Sequence, residues 1–541
     1  HEAAAAAAPD GAAAATADGV EATEITSDVF LRWWRRGTLK CDGGRGLRAD
    51  PGVVLSEILT HIKGSPAVSA RGKPLSLEEY LALPRKTAPA FAGLGSAGSE
   101  KWGSREDVYQ IFESYEAEKA KLGNAYDLCD LVASCMTQVL GKTGSYDGVA
   151  LDTLVCDEVQ DFTLATVTLL LNLLSNEDEF LVGGDTAQTI SKVTFNFKDL
   201  RAVLYRRRQR AERRLEEHWA APRDRRPRDP PLVPRQDQLR VLKTNYRCHQ
   251  GVLSVANLMV EMMALFPNTV DAIEAEQAHF AGLKPLLFMD DDFDDVAEVF
   301  SGGNAVTEMG ANQVIIVRND AAKRALPAQL KGALVMTPLE AKGLEFTDVI
   351  VLNFFSDSAA SERVWGAAFR EVGVTLSEKA AESFDTRIHL VLSEEIKQLY
   401  VAVTRARERL VFFDRSAKAR DAFFRALRER RVAHAHDGVF SRTDGAIALA
   451  QASEAREWRE RGMTFLKRAE PGDYERASDC FEKSGDEPRR LHCLGLDALS
   501  RARDAEDGAA DALTAAYLLA RSECEGSEAP LAEALEAAGE A

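Results

Sequence analysis

Short apolar runs that stop abruptly at acidic or glycine-rich residues set the pattern of the chain. Thr153-Leu154-Val155-Cys156 stops at Asp157-Glu158, and Phe180-Leu181-Val182 stops at Gly183-Gly184-Asp185. A longer apolar stretch over 162–174 lies between them and predicts a helix. Apolar runs recur at 314–317, 349–352 and 410–413, separated by helical texture. Unbroken rather than alternating apolar residues predict strands buried on both faces, as in a parallel sheet. The alternation of these strands with helices predicts α/β layers. Upstream, Ile25 to about Met136 has helical periodicity, and after about 440 the texture is helical throughout.

Two stretches break the pattern. Residues 1–24 are mostly alanine with Gly, Pro and Asp, and predict a disordered leader. Residues 201–240 hold 13 arginines, no lysine and six acids, a local charge of +7, with prolines at 222, 227, 230, 231 and 234. Proline at that density predicts an exposed basic linker, either solvated or in electrostatic contact with phosphates.

Composition narrows the classes. The 541 residues carry 67 Lys+Arg against 85 Asp+Glu, a net charge of −18, so overall positive charge cannot drive nucleic-acid binding and any such contact must be local. Eight cysteines without a C-x-x-C pair predict reduced thiols and an intracellular protein, nucleus or cytoplasm unresolved. No stretch approaches the ~18 apolar residues of a membrane span, and no membrane partner is expected.

The residues after the strands carry the chemistry. Side chains at a strand's carboxyl end project into the crevice where α/β proteins bind ligands. Hydrolysing a nucleotide takes one carboxylate to hold Mg²⁺ and another to orient or deprotonate water, and Asp157 and Glu158 suit that division. Gly183-Gly184-Asp185-Thr186-Ala187-Gln188 lets backbone approach a ligand and ends in an amide able to bond phosphate or water. Further on come Asn245-Tyr246-Arg247, Glu340-Ala341-Lys342-Gly343-Leu344-Glu345-Phe346 and Tyr400-Val401-Ala402-Val403-Thr404-Arg405. Arginine offers a rigid fork of donors to a phosphate whose charge grows.

In this order, these segments resemble motifs II to VI of the UvrD/Rep branch of superfamily 1 helicases. Trp33-Trp34, residues 127–131 and Asn353-Phe354-Phe355-Ser356-Asp357 more narrowly resemble the TPR and ankyrin repeat-containing proteins, large eukaryotic chains with a UvrD-like core. The resemblance implies two RecA-like lobes with parallel sheets, the remainder of the first over 25–200 and the second over 241–430, then an all-α tail over 445–541. It implies ATP and Mg²⁺ as cofactors and single-stranded DNA or RNA as partner. Asp157 would ligate Mg²⁺, Glu158 would be the catalytic carboxylate, and Gln160 and Gln188 would sense the γ-phosphate. Arg247 and Arg405 would act as arginine fingers. Gly184, Asp185, Lys342, Gly343 and Glu345 would line the ATP site, with Glu345 on the ribose. Thr337 would face the nucleic-acid backbone, and Phe195 and Phe197 would stack on bases, although Phe195-Asn196-Phe197 reads equally as a half-buried strand.

Two departures limit that reading. Leu140-Gly141-Lys142-Thr143 is no phosphate-binding loop, because G-x-x-x-x-G-K-[ST] needs glycine where Met136 stands. The loop is expected upstream of His1, which leaves the first lobe incomplete and this chain with little ATPase activity of its own. The step from Val317 to Leu334 is too short for the family's inserted subdomain, so translocation or plain ATPase activity is favoured over processive unwinding. In the tail, Trp458, Gly462, Phe465, Ala477, Phe481, Ser484 and Pro488 approximate a tetratricopeptide unit, with Arg461 where leucine is expected. A protein partner is expected there. The expected function is an ATP-dependent helicase or translocase core; the alternative is a catalytically weak scaffold or nucleotide switch acting through the tail.

Overall fold

The computed structural model describes residues 23–41, 50–84, 104–140, 148–190, 193–220, 233, 239–266, 269–271, 274–289, 309–326, 330, 332–375, 384–386, 389–436, 452–504, 508–524 and 526–540. The chain divides into two units, His1–Leu239 with Pro267–Asp271, and Arg240–Phe266 with Ala272–Ala541. The leader expected over 1–24 falls outside the described residues up to 22. Thr23–Glu24 form β1.

In the first unit, helices α1 (Ser27–Arg35), α2 (Pro51–Glu57, continued by a π-turn at Ile58–Ile62), α3 (Pro66–Arg71), α4 (Leu77–Leu81) and α5 (Arg105–Lys121) precede β2 (Ala125–Tyr126) and α6 (Leu128–Leu140). Strand β2 pairs in parallel with β1. Capping sets the starts: Asp50 accepts the amides of Gly52 and Val53 ahead of Pro51, and Ser104 with Asp107 forms a reciprocal capping box. Phe30, Val54, Ile58, Val108 and Tyr115 close the core of this helical part. Met136 is buried within α6, and Gly141 to Thr143 lie outside the described residues.

A buried charge network crosses this core. Asp127 Oδ2 accepts from Lys63 Nζ at 2.5 Å, Lys119 Nζ at 2.9 Å and Tyr115 Oη at 2.9 Å. The carboxylates of Glu116, Asp127 and Asp130 lie within 4.8 Å of one another, a spacing that suits a cation. The cations there are the two lysine ammoniums.

The chain continues through β3 (Leu154–Cys156), α7 (Leu164–Asn172), β4 (Phe180–Val182) and α8 (Phe197–Ala220). Strands β3 and β4 are parallel, with Leu154 opposite Phe180 and Cys156 opposite Val182. Helix α8 corrects the sequence reading of 201–240 as irregular. All five prolines fall after its end, and 201–220 is rich in Arg, Leu, Glu and Ala, which are good helix formers. The proline-bearing part, apart from Val233, Leu239 and Arg240, lies outside the described residues.

The second unit begins with β5 (Thr244–Asn245), α9 (Gln250–Met263), β6 (Gln277–Ala278) and β7 (Leu286–Phe288). Next come β8 (Gln313–Val317), α10 (Asp320–Arg324), β9 (Val335–Met336), α11 (Pro338–Ala341) and β10 (Phe346–Leu352). Helices α12 (Glu362–Glu371) and α13 (Leu390–Val403) lead to β11 (Ala406–Phe413), α14 (Ala417–Glu429) and β12 (His434–His436). Six strands form one parallel sheet in the order β12-β7-β11-β10-β8-β9. All five residues of β8 are buried, as its unbroken apolar run requires. The sheet extends past the expected 241–430, since β12 adds an edge strand at 434–436.

The tail is helical: α15 (Ala455–Arg468), α16 (Asp473–Ser484), α17 (Glu487–Asp504), α18 (Ala509–Ser522) and α19 (Glu528–Glu540). Gly462 of α15 is required by contact, because a Cβ there would meet the Phe481 ring of α16 at 2.9 Å. No described helix is long and apolar enough to cross a membrane.

Candidate functional site

Parallel pairing of β3 with β4 brings the two acidic segments of the first unit to one carboxyl edge. Backbone bonds continue beyond the strands, from Gly183 N to Cys156 O at 2.8 Å and from Val159 N to Gly183 O at 3.0 Å. A chain of side-chain bonds follows. Gln160, fully buried, donates through Nε2 to the Glu158 carboxylate and accepts the Asp185 amide at 3.1 Å. Asp185 then accepts from Gln188 Nε2 at 2.8 Å and from the Ala187 amide at 2.9 Å. Glycine at 184 is needed for this approach, since a Cβ would lie 2.5 Å from Gln160 Oε1. Glu158 adopts φ +52°, a left-handed conformation that is strained for a residue with a Cβ.

Asp157 and Glu158 therefore have different surroundings. Asp157 is exposed, with Oδ1 turned back on the Glu158 amide at 2.9 Å and Oδ2 unbonded among the described residues. An exposed carboxylate beside a second carboxylate, at a strand's carboxyl end, fits a hydrated Mg²⁺. In such a site the ion would supply charge neutralisation on a phosphate, Asp157 would hold it, and Gln160 would keep Glu158 oriented.

The second unit holds Glu345 and Arg405 at the amino ends of β10 and β11. Phe346 opposes Ala406 in the register, so Glu345 and Arg405 sit side by side just before these strands. Arg247 and Arg407, both exposed, close on the Glu345 carboxylate at 3.0 Å and 3.3 Å. Asn245 accepts the amides of Arg247 at 2.9 Å and Cys248 at 2.8 Å, which fixes the turn presenting Arg247. Burial pushes the neighbouring Cys248 thiol up to about 11. Gly343 has φ +78° and nothing within 4 Å of a Cβ, so its conformation rather than space demands glycine.

Arg405 is placed differently from a surface arginine finger. It is 1% exposed, and its guanidinium donates to Val401 O at 3.0 Å, Leu344 O at 3.1 Å and Thr404 Oγ1 at 3.1 Å. In this conformation it caps the carboxyl end of α13 and ties the Leu344 turn to it. Thr337 is the N-cap of α11 in a capping box with Glu340. Phe195 is 2% exposed and packs edge-on against Phe197 at 5.4 Å inside the first unit's core, so Phe195 offers no free ring face for a base. Neither phenylalanine lies on a strand; Phe197 opens α8.

A set of contacts that sequence reasoning missed joins the tail to the Lys342 to Glu345 segment. Arg461 of α15 donates to Ala311 O at 2.9 Å, Asn312 Oδ1 at 2.8 Å and Glu345 O at 3.3 Å, and lies over the Phe346 ring at 4.5 Å. Arg468 donates to Glu340 O at 2.8 Å and Lys342 O at 3.1 Å while forking onto the buried Asp473 at 2.6 Å. Arg476 pairs with Glu340 and Asp473, and Lys483 donates to Gly332 O at 2.7 Å. Burial pushes the Arg461 guanidinium below its usual range. The signal was present in one departure from the tetratricopeptide pattern: Arg461 stands where leucine is expected, and it bonds the carbonyls of Ala311 and Glu345 and the side chain of Asn312.

Taken together, the fold is a mixed α/β protein with parallel sheets and a helical tail, carrying acidic and basic clusters at strand ends. No family model matches the chain. Over 461 residues, 81% of the chain, it is 29% identical to the human TPR and ankyrin repeat-containing protein 1. The chain spans about 15% of that protein's length.

Proposed function

We propose that the chain is a UvrD-like nucleotide-binding core, built on two RecA-like lobes, that works as a nucleotide-responsive scaffold for a protein partner held by its helical tail. The bonding of Arg461 and Arg468 to the backbone of Glu340, Lys342 and Glu345 carries this reading. A shift of that segment on ATP binding strains the α15 contacts, and a partner on the tail biases the segment in return, since coupling is reciprocal. The inward-turned Arg405 supports weak catalysis over rapid turnover. Similarity to a repeat-containing protein supports a protein partner.

The second reading is an ATP-dependent helicase or translocase that hydrolyses ATP with Mg²⁺ on single-stranded DNA or RNA. It is favoured by the bonded set Glu158, Gln160, Asp185 and Gln188 beside the exposed Asp157. One experiment separates the two: hydrogen exchange of the full-length protein with and without ATP and Mg²⁺, alongside ATP turnover. The scaffold predicts altered protection in α15 and α16 with slow turnover that single strands do not stimulate. Unchanged tail protection at saturating nucleotide sinks it. Turnover stimulated by single strands and lowered at least ~10-fold in Glu158→Gln establishes the second reading instead.

A further inference from the structure

Glu345 and Arg405 sit at the amino ends of the six-stranded sheet, and its carboxyl end carries chemistry they do not use. In the order β12-β7-β11-β10-β8-β9, the chain leaves β8 toward β9 on one side and β10 toward β11 on the other. The strand order therefore reverses between β8 and β10, and open parallel sheets hold ligands beyond the carboxyl ends at such a reversal. A cavity of about 300 Å³ lies there. It is lined by Val317 and Asn319 from the end of β8, Leu352, Asn353 and Asp357 from the end of β10, and Arg415 beyond β11. Ala322, Ala325 and Leu326 add an apolar wall. That volume is at the small end for ligand pockets and suits a metabolite rather than a dinucleotide.

The rim of this cavity is held firmly. Asn353 has φ +53°, a left-handed conformation that is strained for a residue with a Cβ. Its side-chain oxygen accepts the Arg415 amide at 2.9 Å, and its carbonyl accepts the Asp357 amide at 3.0 Å. The buried Asp414 accepts the amides of Phe355 at 2.8 Å, Ser356 at 3.0 Å and Ser416 at 3.1 Å. These bonds lace the loops after β10 and β11 into one frame, and strain kept by such a frame is typical of ligand sites. The frame carries charge of both signs. Arg415 Nη2 donates to Asp357 Oδ1 at 2.7 Å, and Asp357 Oδ2 has no hydrogen bond among the described residues. Asn319 and Asn353 commit their oxygens to the amides of Ala322 and Arg415, which leaves their NH₂ groups to donate. Burial pushes the Asp357 carboxyl above its ordinary range although Arg415 opposes it, so this carboxylate gains from a second cation. A purely anionic ligand would meet Asp357, and a purely cationic one would meet Arg415. A ligand with both charges satisfies both residues and lays its remaining, aliphatic part on the alanine and leucine wall.

We propose that the cavity between the ends of β8 and β10 binds a free α-amino acid with an aliphatic side chain of leucine's size. Arg415 and the asparagine amides take its carboxylate, Asp357 takes its ammonium, and Ala322, Ala325 and Leu326 take its side chain. The site is at the opposite end of the strands from Glu345 and Arg405, so it stands or falls apart from the nucleotide chemistry proposed above. Isothermal titration calorimetry of the 541-residue chain with L-leucine tests it, and saturable binding below about 1 mM is expected. Isocaproate, which lacks the ammonium, and isoamylamine, which lacks the carboxylate, should each bind at least ~10-fold more weakly. Asp357→Asn and Arg415→Gln should each weaken L-leucine at least ~10-fold, the loss expected for a charge-assisted bond. Ala325→Phe, at an exposed position, should block binding while leaving the core untouched. Thermal melts matching the wild type confirm that each variant is folded. The proposal is overturned if L-leucine, L-isoleucine and L-methionine all give no saturable heat up to about 10 mM. It is equally overturned if either single-charge analogue binds as tightly as L-leucine. AMP binding that Asp357→Asn tightens and Ala325→Phe abolishes would assign the cavity to a phosphate and overturn it as well.

Discussion

Replacing Asp127 with alanine is expected to destabilise the first unit by about 3–5 kcal/mol, the loss typical when one member of a buried ion network is removed. Asp127 is 3% exposed and its Oδ2 receives two ammoniums and the Tyr115 hydroxyl, while Oδ1 accepts the Asp130 amide at 3.1 Å. Its removal strands Lys63, 2% exposed, and Lys119, 4% exposed, with only the half-buried Glu116 and Asp130 left to face them. Denaturant unfolding followed by a first-unit probe such as Trp33 measures the cost, and a loss under ~1 kcal/mol would refute the network's role. The same group sets a pH dependence. Burial raises the Asp127 carboxyl, but Lys63 and Lys119 outweigh it and hold the group below its ordinary 3.8, at about 2. A carboxyl depressed on folding contributes stability that is complete above the unfolded value and is lost as pH falls through the folded one. Wild-type stability should therefore decline between about pH 4 and 2, and Asp127→Asn should flatten that decline.

That network was illegible in the sequence for a physical reason. Lys63 lies 64 residues before Asp127, and Lys119, only 8 residues from it, sits in helical texture where charge normally marks a solvated face. Only packing of α5 and the residues before α6 around the π-turn converts them into interior groups. By contrast, the strands of the second unit were legible, because an unbroken apolar run such as 314–317 suits a sheet covered on both faces. In the first unit Val155 of β3 and Leu181 of β4 are 66% and 64% exposed, against the buried strands that their apolar runs predict. Proline density averaged over 201–240 masks the helix, because the twenty residues 201–220 contain no proline at all.

Which of the candidate residues neighbour one another within each unit was legible, and their conformations were not. Strand ends placed Asp157 with Asp185 at one edge, and Glu345 with Arg405 at another. What pattern cannot supply is how an arginine spends its donors. At the end of α13 the carbonyl of Val401 and the hydroxyl of Thr404 lie within reach, and Arg405 satisfies them. Composition likewise flagged the arginines of α8 but not which of them pair with Glu177 and Glu212, since that depends on where those two residues come to lie.

Replacing Arg468 with methionine is expected to loosen the tail and the Lys342 to Glu345 segment together, at a cost of about 3 kcal/mol. Methionine keeps much of the apolar stem, so the loss isolates the guanidinium. Asp473 is fully buried and would keep Arg476 at 3.1 Å and the Glu470 amide at 3.2 Å, while the carbonyls of Glu340 and Lys342 would lose their shared donor. Hydrogen exchange should show reduced protection in α15, α16 and 337–346 at once, with β3 and β4 unchanged. Arg459→Ala is the matched control, because Arg459 is 52% exposed and its partner Asp486, at 3.0 Å, keeps Arg489 at 2.6 Å. An exposed arginine whose carboxylate keeps a second arginine contributes under ~1 kcal/mol. If Arg468→Met loosens the tail but leaves 337–346 protected, the contact is a hinge pin without consequence for the candidate site. If both segments loosen in step, the tail and the Glu345 turn are one mechanical element, and a ligand on either is bound to be felt by the other.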